Sequence, residues 1–226
     1  VASMATLYIN VFPRKHDSVN GSDYIANYPE LSKALKQCAK LRKQFLAYFT
    51  DGTLIAHNEI HDLPYSGVSV GWGWGEEDAG GGAYVMPFDY ETPTAARLNQ
   101  IEFNHIHHIG QRHMSDMGAV YTLGPSEGTS ISNNVIHDVY SYDLYGWAGL
   151  GIYNDEGSTG ILIENNLVYH TKDACYHQHY GKENLVRNNI FAFGREFQLS
   201  RARVEEHLSF TLSGNVIYFD EGTLFW

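Results

Sequence analysis

Two aspartates in matched surroundings are the residues of this chain best suited to chemistry. Asp116 lies in His113-Met114-Ser115-Asp116-Met117-Gly118-Ala119-Val120-Tyr121, and Asp155 in Gly151-Ile152-Tyr153-Asn154-Asp155-Glu156-Gly157-Ser158. Two carboxyl groups held a few ångströms apart can divide the labour of general acid and of base or nucleophile, which is what hydrolysis of a glycosidic bond requires. Burial by neighbouring tyrosines would raise the pKa of the acid partner. Glu156 follows directly and, on a continuing strand, faces away from Asp155, so it stands in reserve. Each aspartate also has an ordinary duty open to it, since Asp commonly begins or closes a turn.

What would hold these groups together is a repeat. The pattern apolar, two residues, Asn, one residue, apolar occurs at Ile55–Asn58–Ile60, Ile101–Asn104–Ile106, Ile131–Asn134–Ile136, Ile163–Asn166–Val168, Val186–Asn189–Phe191 and Leu212–Asn215–Ile217. Fixed recurrence of this kind marks a stacked-repeat architecture. A second set of short, β-rich segments follows the Asn: Gly67–Val70, Gly118–Tyr121, Leu150–Tyr153 and Asp173–Tyr176. Together they predict an all-β fold, a right-handed parallel β-helix of about six coils over residues 53–226, with apolar stacks inside and an Asn ladder along one turn. The Asn-Gly and Asp-Gly turns that hairpin-built sandwiches favour are too few.

Coil stacking brings Asp116 and Asp155 to consecutive coils about 4.8 Å apart. If Ser69, Val120, Ile152 and Cys175 point inward, Val70, Tyr121, Tyr153 and Tyr176 point outward beside Asp155. Cys175 is then a small buried apolar residue. Insertions at residues 72–97, 111–117 and 140–148 wall a groove with Trp72, Trp74, Tyr140, Tyr142, Tyr145 and Trp147, faces on which sugar rings stack. Taken singly, each of these aromatics has the plainer role of packing its loop onto the coil. His177 and His179 fall beyond the tyrosine file, where imidazoles can bind hydroxyls or orient a carboxylate, and His113 offers the same from its loop.

His61, His107 and His137 each stand three residues after a ladder Asn. An aligned file of imidazoles could hold Zn²⁺ or Cu²⁺. The coil spacing is long for a tight three-His site, so stacking is the reading adopted, with no metal site assigned and no cofactor required.

Residues 1–52 read differently. Leu31, Ala34, Leu35, Cys38, Leu41, Phe45 and Tyr48 recur at three- and four-residue steps, which predicts an amphipathic α-helix capping the open end of the stack. The chain ends Thr-Leu-Phe-Trp without a polar cap, so truncation, a partner chain or self-association into a homo-oligomer is expected there. Its start, Val-Ala-Ser-Met, carries no signal-peptide pattern and suggests a trimmed chain.

Composition narrows the partners. The 226 residues carry 15 Lys plus Arg against 26 Asp plus Glu, a net charge of −11, which argues against nucleic acid or an anionic membrane surface. Two cysteines build no disulfide framework.

The two aspartate motifs, with His177-Gln178-His179-Tyr180-Gly181 and Asn188-Asn189-Ile190-Phe191-Ala192, resemble β-helical carbohydrate-active enzymes, most closely glycoside hydrolase family 141. That family holds xylanase and α-L-fucosidase activities, and its members are much longer than this chain. The resemblance implies catalytic roles for Asp116 and Asp155, a polysaccharide or oligosaccharide substrate such as xylan or a fucose-containing glycan, and a secreted or periplasmic location. Trp72, Trp74, Trp147, Tyr121, Tyr153, Tyr176, His113, His177 and His179 would line the subsites. The alternatives are a polysaccharide lyase on the same fold and a non-catalytic glycan-binding β-helix. Lyases of acidic sugars need cations to neutralise the uronate, and residues 98–186 offer only Arg112, Lys172 and Lys182.

Overall fold

The computed structural model describes residues 44–71, 89–141 and 148–226. Among these the chain is all-β, with no helix, and its strands pair only in parallel. No helix among the described residues is long and apolar enough to cross a membrane.

Three large sheets share the strands. The first has seven: β1 (Phe45–Tyr48), β4 (Val68–Gly71), β7 (Gly118–Leu123), β10 (Leu150–Asn154), β14 (Ala174–Gln178), β18 (Phe197–Arg201) and β21 (Thr223–Phe225). The second has six: β2 (Leu54–Ala56), β5 (Gln100–Glu102), β8 (Ser130–Ser132), β12 (Leu162–Glu164), β16 (Asn184–Arg187) and β19 (Phe210–Ser213). The third has β3 (Glu59–Leu63), β6 (His105–Ile109), β9 (Val135–Val139), β13 (Leu167–Thr171), β17 (Ile190–Ala192) and β20 (Val216–Tyr218). A short pair, β11 (Ser158–Thr159) with β15 (Gly181–Lys182), adds a fourth edge. The chain visits the sheets in rotation, so each strand pairs with its counterparts one repeat earlier and later.

Register follows from the apolar pattern. Ile55, Ile101, Ile131, Ile163, Val186 and Leu212 stand opposite one another in the second sheet. Ile60, Ile106, Ile136, Val168, Phe191 and Ile217 do the same in the third. Most of these residues join Val68, Val120, Ile152, Tyr176 and Leu199 of the first sheet in one core. Burying each such aliphatic side chain contributes about 1.5–3 kcal/mol, so the stacks dominate the stability of the fold.

The six asparagines form the expected ladder. Each of Asn58, Asn104, Asn134, Asn166 and Asn189 donates its Nδ2–H to the Oδ1 of the next at 2.9–3.0 Å. That same oxygen also accepts the backbone N–H of the preceding Asn at 2.9–3.1 Å. The second Nδ2 proton of Asn104, Asn134, Asn166, Asn189 and Asn215 goes to a carbonyl of the repeat before, beginning with Ile55 O. These corners would otherwise bury unpaired backbone groups, a cost of about 1–3 kcal/mol each.

Left-handed backbone makes the corners. The residue just before each ladder Asn has positive φ: His57 at 56°, Phe103 at 54°, Asn133 and Asn165 at 57°, Asn188 at 54° and Gly214 at 64°. A second such residue lies four after the Asn, at Asp62, His108, Asp138, His170 and Phe193, and a third six before, at Gly52, Leu98, Gly128, Gly160 and Glu183.

Two expectations need correction. The amphipathic helix falls mainly outside the described residues, but its last members, Phe45 and Tyr48, lie in β1, paired to Val68 and Gly71. Aromatic and aliphatic residues at these positions satisfy strand preference as well as helical spacing, and the open edge of β4 supplies the backbone partners. The strand alignment also slips by one residue in two places. Val68, not Ser69, faces Val120, and Ile152 faces Tyr176, not Cys175. Tyr176 is therefore a core residue, stacked near Phe191 and edge-on to Phe210, and does not share the face of Tyr121 and Tyr153. A one-residue slip exchanges the two faces of a strand, and the fully buried run 174–178 has no polar alternation to fix its phase.

Candidate active site

On the other face of the first sheet, register aligns Leu46, Ser69, Tyr121, Tyr153, His177 and Ser200. The tyrosines belong to a second cluster with Leu123, Ala148, Leu150, Ala174 and Tyr180. Tyr121 and Tyr153 meet edge to face at 5.0 Å, which fixes where both hydroxyls point. Tyr153 can lie over β7 because Gly118 beneath it has no side chain: a Cβ there would come within 2.7 Å of the Tyr153 Cβ.

Asp155 follows β10 directly. Its N–H reaches Thr122 O, and its carbonyl accepts from Ser158 N–H at 2.9 Å, closing a turn in which Gly157 takes φ 72°. That is the position a type II turn reserves for glycine. The turn aims the carboxylate back at the tyrosine file, where it is 2% exposed. Tyr121 OH donates to Asp155 Oδ2, and His179 Nδ1 stands 2.8 Å from Oδ1. With its proton on Nδ1, a neutral His179 keeps a lone pair on Nε2.

Asp116 arrives from the connection before β7, at φ 54°, a conformation Asp tolerates better than most residues. Tyr153 OH donates to Asp116 Oδ1 at 3.1 Å, and the Asp155 carboxylate lies near enough to act on the same phenol. Tyr65 OH fixes the backbone by donating to Asp116 O at 2.9 Å. Burial, and next the Asp155 charge, hold the Asp116 carboxyl above the ordinary carboxylate range. Burial and the neighbouring carboxylates, Asp155 for all three and Asp116 also for Tyr65 and Tyr153, push the phenols of Tyr65, Tyr121 and Tyr153 far above 10, so all three remain proton donors. Glu156 is pushed up to about 7 by burial and then by Asp155, and its Oε2 is shielded from solvent without a hydrogen-bond partner.

The structure thus gathers Asp116, Asp155, Glu156, Tyr121, Tyr153 and His179. His177 is present as a support: fully buried, its Nδ1 is 2.7 Å from Ser200 Oγ, and its ring meets Tyr153 edge-on at 5.2 Å. Burial pushes its pKa down to about 3, so it is neutral. His113 is exposed in the turn at residues 111–113. Trp72, Trp74 and Trp147 lie outside the described residues.

Sequence reasoning missed Tyr65, Tyr180 and Arg203. Arg203 lies 3.9 Å over the Tyr180 ring, which in turn meets His179 edge-on at 4.8 Å. Beside them Tyr90 OH donates to Glu205. None of these residues sits in the repeat pattern, so no periodic signal marked them.

No protein-family model matches this chain. No curated protein matches it. A solved structure described as a glycoside hydrolase is similar to 78% of this chain at 26% sequence identity, with a TM-score of 0.40. The match covers 21% of that structure's chain, so the present chain spans about a fifth of its length.

Proposed function

We propose that this chain is a right-handed parallel β-helix whose groove hydrolyses glycosidic bonds in a neutral, plant-type polysaccharide such as a xylan or a fucose-containing glycan. The observation that carries the reading is the pairing of two acids with two phenols that meet edge to face, Tyr153 donating to Asp116 and Tyr121 to Asp155. Asp116, disposed by burial to keep its proton, is the general acid that protonates the departing sugar oxygen. Asp155, flanked by the donors Tyr121 and His179, is the nucleophile or base. Arg203, stacked on Tyr180, and the aromatic insertions would border the sugar subsites.

One observation favours a second reading. Asp155 is buried and engaged on both oxygens, as is a carboxylate that orients a histidine, and His179 Nε2 would then abstract a proton in a lyase reaction. The experiment is reducing-sugar release from neutral and acidic polysaccharides by the parent, Asp116→Asn and Asp155→Asn, with absorbance near 235 nm followed in parallel. Hydrolysis predicts release that falls about 10²- to 10⁴-fold in each variant without new absorbance. Growth of absorbance would assign the groove to a lyase. Binding of a glycan without release, unchanged in both variants, would leave a binding module and end the catalytic reading.

A further inference from the structure

The third sheet carries a cluster that the proposed reaction does not use. His61, His107 and His137 are register partners on β3, β6 and β9, and Tyr169 continues the file on β13. The rings stack, His61 on His107 at 5.0 Å, His107 on His137 at 5.2 Å and His137 on Tyr169 at 4.7 Å. Stacking alone is a structural role, as the sequence suggested. Two further side chains change it. His105, two residues from His107, swings beside the file, with its ring 4.3 Å from that of His107 and its Nε2 2.8 Å from His137 Nε2. Glu59, from the preceding repeat, places Oε1 3.5 Å from His107 Nε2, longer than a good hydrogen bond. One donor atom from each of Glu59, His105 and His107 lies within 4.8 Å of the others.

The geometry points to a Zn²⁺-class transition-metal site formed by Glu59, His105 and His107, with His137 Nε2 within reach as a fourth ligand. Two nitrogens bound to one Zn²⁺ at about 2.0–2.1 Å stand roughly 3 Å apart, near the separation that His105 and His137 already have. The outer contacts suit the role. His137 Nδ1 lies 2.6 Å from Asp138 Oδ2 and His107 Nδ1 lies 2.7 Å from His108 Nδ1, so in both rings Nδ1 is engaged away from the ligand-facing Nε2. A carboxylate behind a histidine in this way fixes the ring and raises its basicity as a ligand. Three imidazoles and one carboxylate select a borderline metal over Ca²⁺ or Mg²⁺, which favour all-oxygen shells. Glu59 and His105 are exposed and can move the ångström needed to close the shell.

The test is direct titration of the untagged protein with Zn²⁺ against a chromophoric chelator, and with Co²⁺ followed by its visible absorption. The expected result is one equivalent bound, a thermal midpoint raised by the metal, and affinity lowered at least tenfold in His105→Ala and in Glu59→Gln. Asp138→Asn should weaken binding by about tenfold or more, while His170→Ala on the same sheet and Asp116→Asn should bind as the parent does. Because Glu59 and His105 are exposed, their variants keep the test valid should His107→Ala fail to fold. Absence of saturable binding, or equal affinity in the parent, His105→Ala and Glu59→Gln, would leave the file a purely structural stack. The site rests on a different sheet from the groove, so its failure and that of the hydrolytic reading are separately visible.

Discussion

Glu156 binds its proton more tightly in the folded chain, up to about 7, than at its ordinary 4.5. The folded state gains from this group fully below pH 4.5, and the gain is lost as pH rises through about 7. Glu156→Gln removes the dependence, so its thermal midpoint relative to the parent should climb between those two pH values. Parallel midpoint curves for the two proteins would contradict it. The same direction of shift at Asp116 means that activity should fade on the alkaline side as the acid loses its proton. At this scale the sequence exposed Asp116 and Asp155 through residue type and their glycine-rich settings. It exposed Tyr121 and Tyr153 through alternation. It misplaced Tyr176, because period-two reasoning carries no information about phase once a whole strand is buried.

Among elements, β7 and β10 are the pair that carry the facing tyrosines and lead into the two acids, and Gly118 sets how closely Tyr153 of β10 can lie over β7. Gly118→Ala puts a methyl 2.7 Å from the Tyr153 Cβ, in contact with a stiff part of the side chain. We expect kcat to fall by about tenfold or more as the Tyr153 hydroxyl is displaced from Asp116, with KM changing less. Unchanged kcat in a folded Gly118→Ala protein would mean that Tyr153 does not position the acids. Strand positions were legible because the Asn and its flanking apolar residues recur in every repeat. The left-handed corners were not, since His57, Phe103, Asn133 and Gly214 occupy one conformation with four different side chains. Only Asn and Gly advertise it in sequence.

Across the whole molecule the ladder transmits order from repeat to repeat, and its interior rungs bear more than its last. Asn134→Ala strips partners from Asn104 N–H, one Asn104 Nδ2 proton and Ile101 O, all in a buried corner. At about 1–3 kcal/mol for each buried group left unpaired, a loss of several kcal/mol is expected in urea unfolding. Asn215→Ala, in a half-buried corner, should cost clearly less. Equal losses at the two positions would show that water replaces the ladder as well inside as near the surface.

A scaffold tied this way is also a ruler with coarse divisions. Positions on one face of a strand recur every second residue, about 6.5 Å, and neighbouring strands stand about 4.8 Å apart. Retaining and inverting glycosidases differ in the gap between their acids, about 5–5.5 Å against about 6.5–9.5 Å. An acid borne on one of these strands could only hop by two residues or by a whole repeat. Asp116 and Asp155 escape that ruler, since they stand in the connections flanking β7 and β10, where a turn can change the gap by fractions of a division.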